Sequence, residues 1–359
     1  MTSRLLHYPG TVSQPLPSIE QIKKELQCTE DLIHTIKGFR EKVVNILTHR
    51  MGKALLIVGP CSIHDPEAAC EFAKKLKQLS DYVSDKIQLV MRVYCEKPRT
   101  AKGWKGLLHD PNLNQKSDVI KGIRLTRELM LEINRIGVPV GTEFLDPLTC
   151  YYYQDLATWG SIGARTSSSQ VHRQLASGLP MPIGFKNSTD GDIMNAVNGM
   201  IAAEHSQSHI GLSETGEVCS LTTSGNPHTH LVLRGGESKP NFDRPSVAYA
   251  LELLATYDLP LRLLIDCSHD NSRKNHEQQI EVFEQVLEQM EAGNDHIVGM
   301  LLESHLDSGQ QELTQNFSCL KYGVSITDAC LDWQTTESLI LKAHAALQNQ
   351  NYEVKSFSN

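Results

Sequence analysis

The chain has 359 residues, 40% of them hydrophobic and 6% aromatic, with a formal net charge of -8. That length supports a large core, and an acidic chain is poorly suited to nucleic acid, whose phosphates need a basic face. No apolar run approaches the roughly 18 residues of a membrane span, and no signal peptide opens the chain. Nine cysteines without a CxxC pair point to free thiols in a reducing cytoplasm.

Residues 1–17 carry prolines at 9, 15 and 17 and read as an irregular arm. Ser18-Ile19-Glu20-Gln21 is a capping-box pattern that predicts a helix to about Leu26. A second helix, about Asp31 to His49, has Ile33, Ile36, Phe39, Val43 and Ile46 at helical spacing. From residue 51 a rhythm begins. Short apolar runs that read as buried strands alternate with amphipathic stretches. The runs are 54–58, 87–93, 138–142, 161–164, 181–185, 230–233, 262–265 and 297–302. Helices fit 67–79, 121–136, 193–205, 244–257, 278–290 and 336–347. Eight such units without a composition break predict an α/β chain folded as a (β/α)8 barrel over 51–350. No GxGxxG follows the first strand, which counts against an open dinucleotide-binding sheet. A Gly/Ser/Thr-rich insert at about 206–227, between strands five and six, alternates in polarity like a hairpin, and 351–359 reads as a flexible tail.

In such a barrel the chemistry sits at the C-terminal strand ends. Those ends carry Cys61, Arg92 with Lys97 beyond it, Glu143, Arg165, Lys186, Arg234, His269 and Glu303, with Asp328 in the loop after the last strand. Two sets emerge. Arg92, Lys97, Arg165, Lys186 and Arg234 form a cationic group suited to carboxylate or phosphate. Cys61, His269, Glu303 and Asp328 form a ligand set for Mn, Fe, Co or Zn rather than for an all-oxygen calcium site. Taken singly, each has a bland reading. Cys61 could be a small buried hydrophobe, His269 a hydrogen-bonded core histidine, the acids solvated caps, and the arginines partners of barrel carboxylates. Nine positions falling at strand ends argue against that account. Trp104, Trp159 and Trp333 read as packing. Tyr151-Tyr152-Tyr153 reads as the start of a helix with an interface or core face.

Gly-Pro-Cys-Ser-Ile-His-Asp-Pro at 59–66, Arg-Val-Tyr-Cys-Glu-Lys-Pro-Arg-Thr at 92–100, Gly-Ala-Arg-Thr at 163–166 and Gly-Phe-Lys-Asn at 184–187 resemble class I 3-deoxy-D-arabino-heptulosonate 7-phosphate (DAHP) synthases. So do Leu-Arg-Gly-Gly at 233–236, Asp-Cys-Ser-His at 266–269, Glu-Ser-His at 303–305 and Ser-Ile-Thr-Asp-Ala-Cys at 325–330, all in order over about 18–348. The resemblance implies condensation of phosphoenolpyruvate with erythrose 4-phosphate, the first step of the shikimate pathway. It implies phosphoenolpyruvate on Arg92, Lys97, Gly163, Ala164, Arg165, Lys186 and Arg234, and the sugar phosphate on Pro98, Arg99 and Thr100. It implies a divalent metal on Cys61, His269, Glu303 and Asp328, with Lys97 moving a proton. The related 3-deoxy-octulosonate 8-phosphate synthase is the competing enzyme, and a non-catalytic sugar-phosphate regulator the competing class. The Lys-Pro-Arg-Thr form and the N-terminal extension favour the first. This chain departs from the family at Cys95, commonly Phe, and at Ser168, commonly Glu.

The resemblance also implies that residues 1–50 and the insert serve a homodimer or homotetramer and an aromatic effector site lined by Asp146, Leu179, Pro180, His209, Gly211 and Leu221. Phenylalanine-sensitive relatives tend to carry Ser at the positions of Pro180 and Gly211. Room beside Gly211 for a phenolic oxygen, with His209 as its partner, favours tyrosine over phenylalanine.

Overall fold

The caps written into the sequence start the first two helices. Ser18 Oγ accepts the Gln21 N–H at 3.1 Å and opens α1, Ile19–Glu25. Thr29 opens α2, Glu30–Leu47. The computed structural model describes residues 15–99, 102–313 and 319–348. Most of the predicted arm, the tail and Thr100 therefore lie outside the described residues.

Eight parallel strands then close into a barrel. They are β1 (Ala54–Gly59), β2 (Ile87–Arg92), β3 (Val140–Glu143), β4 (Trp159–Ile162), β5 (Ile183–Lys186), β8 (Thr229–Leu233), β9 (Leu263–Asp266) and β10 (Ile297–Glu303). The missing numbers, β6 (Ser208–Leu212) and β7 (Val218–Thr222), form the antiparallel hairpin expected of the insert, with His209 opposite Leu221 and Gly211 opposite Cys219. Closure joins β1 to β10, with Leu55 beside Gly299 and Gly59 beside Glu303. Nearly every strand residue of the barrel is buried, because the interior covers one face and helices the other. The covering helices are α3 (Pro66–Val83), α4 (Val119–Ile136), α5 (Gln170–Gly178), α6 (Met194–Glu204), α7 (Arg244–Thr256), α8 (Gln278–Glu291) and α9 (Trp333–Gln348).

The eight-unit rhythm implies a helix between β4 and β5, but the sequence reading sets it no bounds. The one found there, α5, has nine residues and buries Leu175, Ala176, His172 and Ser177, so its apolar stripe is too short to show in a periodicity count. The Tyr151–Tyr153 stretch does not begin an α-helix. It falls across two short 3-10 helices, Thr149–Tyr152 and Gln154–Leu156, with Tyr152 and Tyr153 buried as a core face.

The N-terminal end of the barrel is sealed by α2. Its Val43, Ile46 and Leu47 cluster with the interior residues Leu55, Ile57, Val90, Trp159, Val232 and Leu264. Arg262, buried beside them, donates to Leu47 O at 3.1 Å, Pro227 O at 2.8 Å and Thr229 O at 3.2 Å. In the same layer Trp159 Nε1–H donates to His230 Nε2 at 3.0 Å. Trp104 and Trp333 are also buried, as packing residues should be. Among the described residues no helix is long and apolar enough to cross a membrane.

Candidate active site

The opposite, C-terminal mouth holds a cavity of about 640 Å³. Arg92, Lys97, Pro98, Arg99, Ala164, Arg165, Lys186, Arg234, His269, Glu303 and Asp328 all line it. Five cations, two at the ends of β2 and β5 and three in the loops after β2, β4 and β8, thus face a single space. Each buried one has an acidic neighbour, because an unpaired buried charge is costly. Arg92 donates to Glu303 Oε1 at 2.9 Å and stacks over Tyr94 with its guanidinium 4.1 Å from the ring centre. Lys186 donates to Asp266 Oδ2 at 3.0 Å. Arg234 pairs with Asp270. Arg165 is the exception: it is exposed and has no ion-pair partner among the described residues. Arg92 Nη1 is buried and also lacks a partner among them, which leaves a donor suited to an anion. Gly163 does not line the cavity. A Cβ there would lie 2.4 Å from Glu143 Oε1, so the glycine makes room for the Glu143 carboxylate at the end of β3.

Cys61 does not itself line this cavity and is fully buried. Its Sγ, a Glu303 oxygen and an Asp328 oxygen lie within 4.8 Å of one another. His269 stands slightly apart, with Nε2 3.8 Å from Glu303 Oε1. Its Nδ1 is held by Asp266 Oδ2 at 3.0 Å, and Ser268 Oγ lies 2.7 Å away. A carboxylate on one imidazole nitrogen fixes the tautomer and frees the other as a ligand. One sulfur, one imidazole and two carboxylates at these separations fit a divalent transition metal.

Lys97 joins the two sets. Its Nζ lies 3.0 Å from Cys61 Sγ and 3.9 Å from Asp328 Oδ2. Burial opposes its charge, but Cys61, Asp328 and Glu303 outweigh burial and raise its pKa. Burial, with Glu303 as second cause, pushes the Cys61 thiol up to about 12. Burial opposes the Asp266 charge too, yet His269 and Lys186 hold that carboxyl well below its usual range. Cys330 Sγ lies 3.4 Å from the Cys61 nitrogen, but burial pushes its thiol up as well, which works against thiolate exchange.

Sequence reasoning missed Tyr94, Asp266 and Asp270 as parts of the site. Asp266 was visible at a strand end in Asp266-Cys267-Ser268-His269, and a buried acid three residues before a metal-type histidine is a usable signal. Tyr94 carries none, since a tyrosine after an apolar strand reads as core.

Of the residues expected around an effector, Gly211 needs a correction. A Cβ there would meet Leu221 Cδ1 at 2.5 Å and Tyr151 Oη at 2.8 Å. The space beside Gly211 is therefore filled by the chain's own phenol. His209 Nδ1 is buried without a partner among the described residues. Asp146 caps the adjacent 3-10 helix by accepting from the Leu148 and Thr149 N–H groups. Leu179 and Pro180 line a separate cleft with Arg40 and Arg50, yet stay beside the hairpin because Ser177 Oγ meets Thr223 Oγ1 at 2.7 Å.

The model of the DAHP synthetase I family matches residues 33–341. The chain belongs to the DAHP synthetase I family. It is 43% identical over 340 residues to the Tyr-sensitive phospho-2-dehydro-3-deoxyheptonate aldolase of Escherichia coli strain K12, covering 95% of each. A Trp-sensitive relative from Enterobacter agglomerans is 44% identical over 305 residues, 85% of this chain and 87% of that one. The solved phospho-2-dehydro-3-deoxyheptonate aldolase from Francisella tularensis SCHU S4 superposes with a TM-score of 0.91 at 39% identity, over 94% of this chain and 98% of the other. The family departures are local: Cys95 is buried in the loop that follows β2, and Ser168 is exposed near Arg165.

Proposed function

We propose that this chain condenses phosphoenolpyruvate with D-erythrose 4-phosphate and water to give DAHP and phosphate, the entry step to the aromatic amino acids. The carrying observation is the ring of Arg92, Lys97, Arg165, Lys186 and Arg234 around one cavity in a chain of net charge -8. Both substrates are anions, and cations fixed in a recess hold them together at high effective concentration. Arg92, Arg165, Lys186 and Arg234, with Ala164, grip phosphoenolpyruvate, and Gly163 acts only by leaving room for Glu143. Pro98, Arg99 and Thr100 take the sugar phosphate, and Lys97 stands between the two. The alkene carbon of phosphoenolpyruvate attacks the aldehyde carbon, and a carbon–carbon bond forms. Lys97, kept protonated by its acidic neighbours, delivers a proton to the aldehyde oxygen. Water adds to the cationic carbon left behind, and the carbon–oxygen bond to phosphate breaks. Cys61, His269, Glu303 and Asp328 would hold Mn, Fe, Co or Zn, which supplies Lewis-acid polarisation of the aldehyde.

Residues 1–50 serve assembly and control around a catalytic barrel at 51–350. Tyrosine is the favoured effector, and the unmet His209 Nδ1 supports a phenolic partner. Exposed Ile210 and Val218 on the hairpin support a homodimer or homotetramer. Nine free cysteines support a cytoplasmic setting. The reaction is tested by phosphate release. Purified protein with added Mn should release phosphate only with both substrates present, and arabinose 5-phosphate should not replace erythrose 4-phosphate. Equal release from phosphoenolpyruvate alone would refute the assignment.

A further inference from the structure

The catalytic loop carries a buried carboxylate that the proposed chemistry does not use. Glu96 precedes Lys97, and its side chain is almost wholly buried. Tyr153 Oη donates to Glu96 Oε2 at 2.8 Å. Thr149 Oγ1 lies 3.2 Å from both carboxylate oxygens, and His109 Nε2 lies 3.1 Å from Oε1. Tyr153 is a firm anchor. It is buried, its ring stacks on Phe144 at 6.0 Å, and burial together with the Glu96 charge keeps its phenol protonated and donating. Hydrogen bonds to a charged acceptor are among the stronger ones, and a buried carboxylate deprived of donors is costly.

At its root the loop is held to β3 by Val93 N–H to Gly141 O at 2.7 Å and to the segment after β1 by Ile63 N–H to Tyr94 O at 2.9 Å. Beyond Tyr94 its backbone, among the described residues, is zipped to its own return segment: Lys97 N–H donates to Lys105 O at 3.0 Å, and Leu108 N–H to Cys95 O at 3.0 Å. That zip is close because Gly106 adopts a φ of +107°, and a Cβ there would lie 2.3 Å from Cys95 O. A two-stranded loop of this kind is marginal by itself. Glu96 ties this stretch to the segment after β3, on the side away from the Lys97 contact with Cys61 Sγ at 3.0 Å. The segment it ties to is in turn set by the hairpin, since Tyr151 of the same 3-10 helix rests its hydroxyl against Gly211 and the Leu212 backbone.

We propose that Glu96 is the positioning residue of the catalytic loop, and that its carboxylate clamp on Tyr153, Thr149 and His109 aims Lys97 and Arg99 into the cavity. This rests on the roles given to Lys97 and Arg99 above. It makes a directional claim. Four of the five phosphoenolpyruvate cations stand outside the loop, whereas the sugar-phosphate residues stand on it. Loss of the clamp therefore acts on the second substrate.

The test compares Glu96→Gln and Tyr153→Phe with the parent enzyme. Misplacement of reacting groups by about 1 Å costs on the order of 100-fold, so Glu96→Gln should lower kcat/KM for erythrose 4-phosphate by roughly 10- to 100-fold. KM for phosphoenolpyruvate should move by less than about threefold, since most of its contacts remain. Tyr153→Phe keeps the ring and removes one donor, so it should fold normally and shift the same parameter less. The double variant should be no worse than Glu96→Gln, because both remove one unit. Hydrogen exchange at the Lys97 and Leu108 amides should quicken in both single variants, a readout independent of turnover. Equal losses for both substrates, or a lower melting temperature with unchanged kinetics and unchanged exchange at those amides, would overturn the proposal. If the parent itself failed to turn over the two substrates, the functional reading would fall, while the exchange data would still decide whether Glu96 holds the loop.

Discussion

His230 should make the fold sensitive to acid by an amount that can be worked out. It is wholly buried in the barrel floor, accepts from Trp159 Nε1–H at 3.0 Å, and has Nδ1 3.3 Å from His228 O. Both ring nitrogens are thus used in the neutral form. Burial first, and the Arg262 charge second, push its pKa down to about 3. In the unfolded chain a histidine titrates near 6.5. The folded pKa is depressed, so the unfolded state binds the proton first as pH falls. The stability from a neutral His230 is complete above about pH 6.5 and is lost between there and about pH 3. At pH 5 the unfolded state gains about 2 kcal/mol from this proton, and the ceiling at low pH is about 5 kcal/mol. Urea unfolding of the parent and of His230→Gln at pH 8, 7, 6 and 5 isolates the effect, since every other titrating group is common to both. His230→Gln should be the less stable protein at pH 8, and the gap should shrink by about 2 kcal/mol by pH 5. Parallel stability curves for the two proteins would refute the assignment of a neutral, strongly depressed His230.

Chelation should abolish activity, with partial return on adding Mn or Co, and Cys61→Ser should weaken metal binding while leaving the melting profile near that of the parent. Full turnover after EDTA and gel filtration would leave Cys61, Glu303 and Asp328 needing another role. Lys186→Ala removes a cation from the cavity and strands the buried Asp266, so it should lose at least about 100-fold in kcat/KM and about 3 kcal/mol or more of stability; truncation after Gln350 should do neither. Tyrosine should inhibit more strongly than phenylalanine in parallel inhibition curves. Gly211→Ser, which forces Leu221 and Tyr151 to shift, should blunt that response, and undiminished tyrosine sensitivity in it would remove Gly211 from the effector site.

The barrel was legible because its strands are buried on both faces, so Ala54–Gly59 or the Leu263-Leu264-Ile265 stretch of β9 read as unbroken apolar runs. The site was legible for a related reason. A charge at the end of an apolar strand is conspicuous, and parallel strands bring all such ends to one mouth. What stayed hidden depends on distances that strand order does not encode. His269 could be placed at the mouth, but not its 3.8 Å separation from Glu303. Glu96 looked like one more charge in a basic loop, because its donors Thr149 and Tyr153 lie more than fifty positions away. Gly211 suggested empty space, since a missing side chain says nothing about which neighbour fills the gap, here Tyr151.

The pairing of β1 with β10 has a consequence for synthesis. Leu55 and Gly299, neighbours in the finished sheet, are separated by about 240 residues, which at about 5–20 residues per second is a wait of roughly 10–50 s. Throughout that interval the apolar run Ala54–Gly59 has one hydrogen-bonding edge without its partner. An open edge of that kind is a template for pairing with other chains. The last strand to leave the ribosome is therefore the one that removes the first strand from risk of aggregation, and substitutions that slow the docking of β10 should lower soluble yield more than they lower the stability of the protein that does fold.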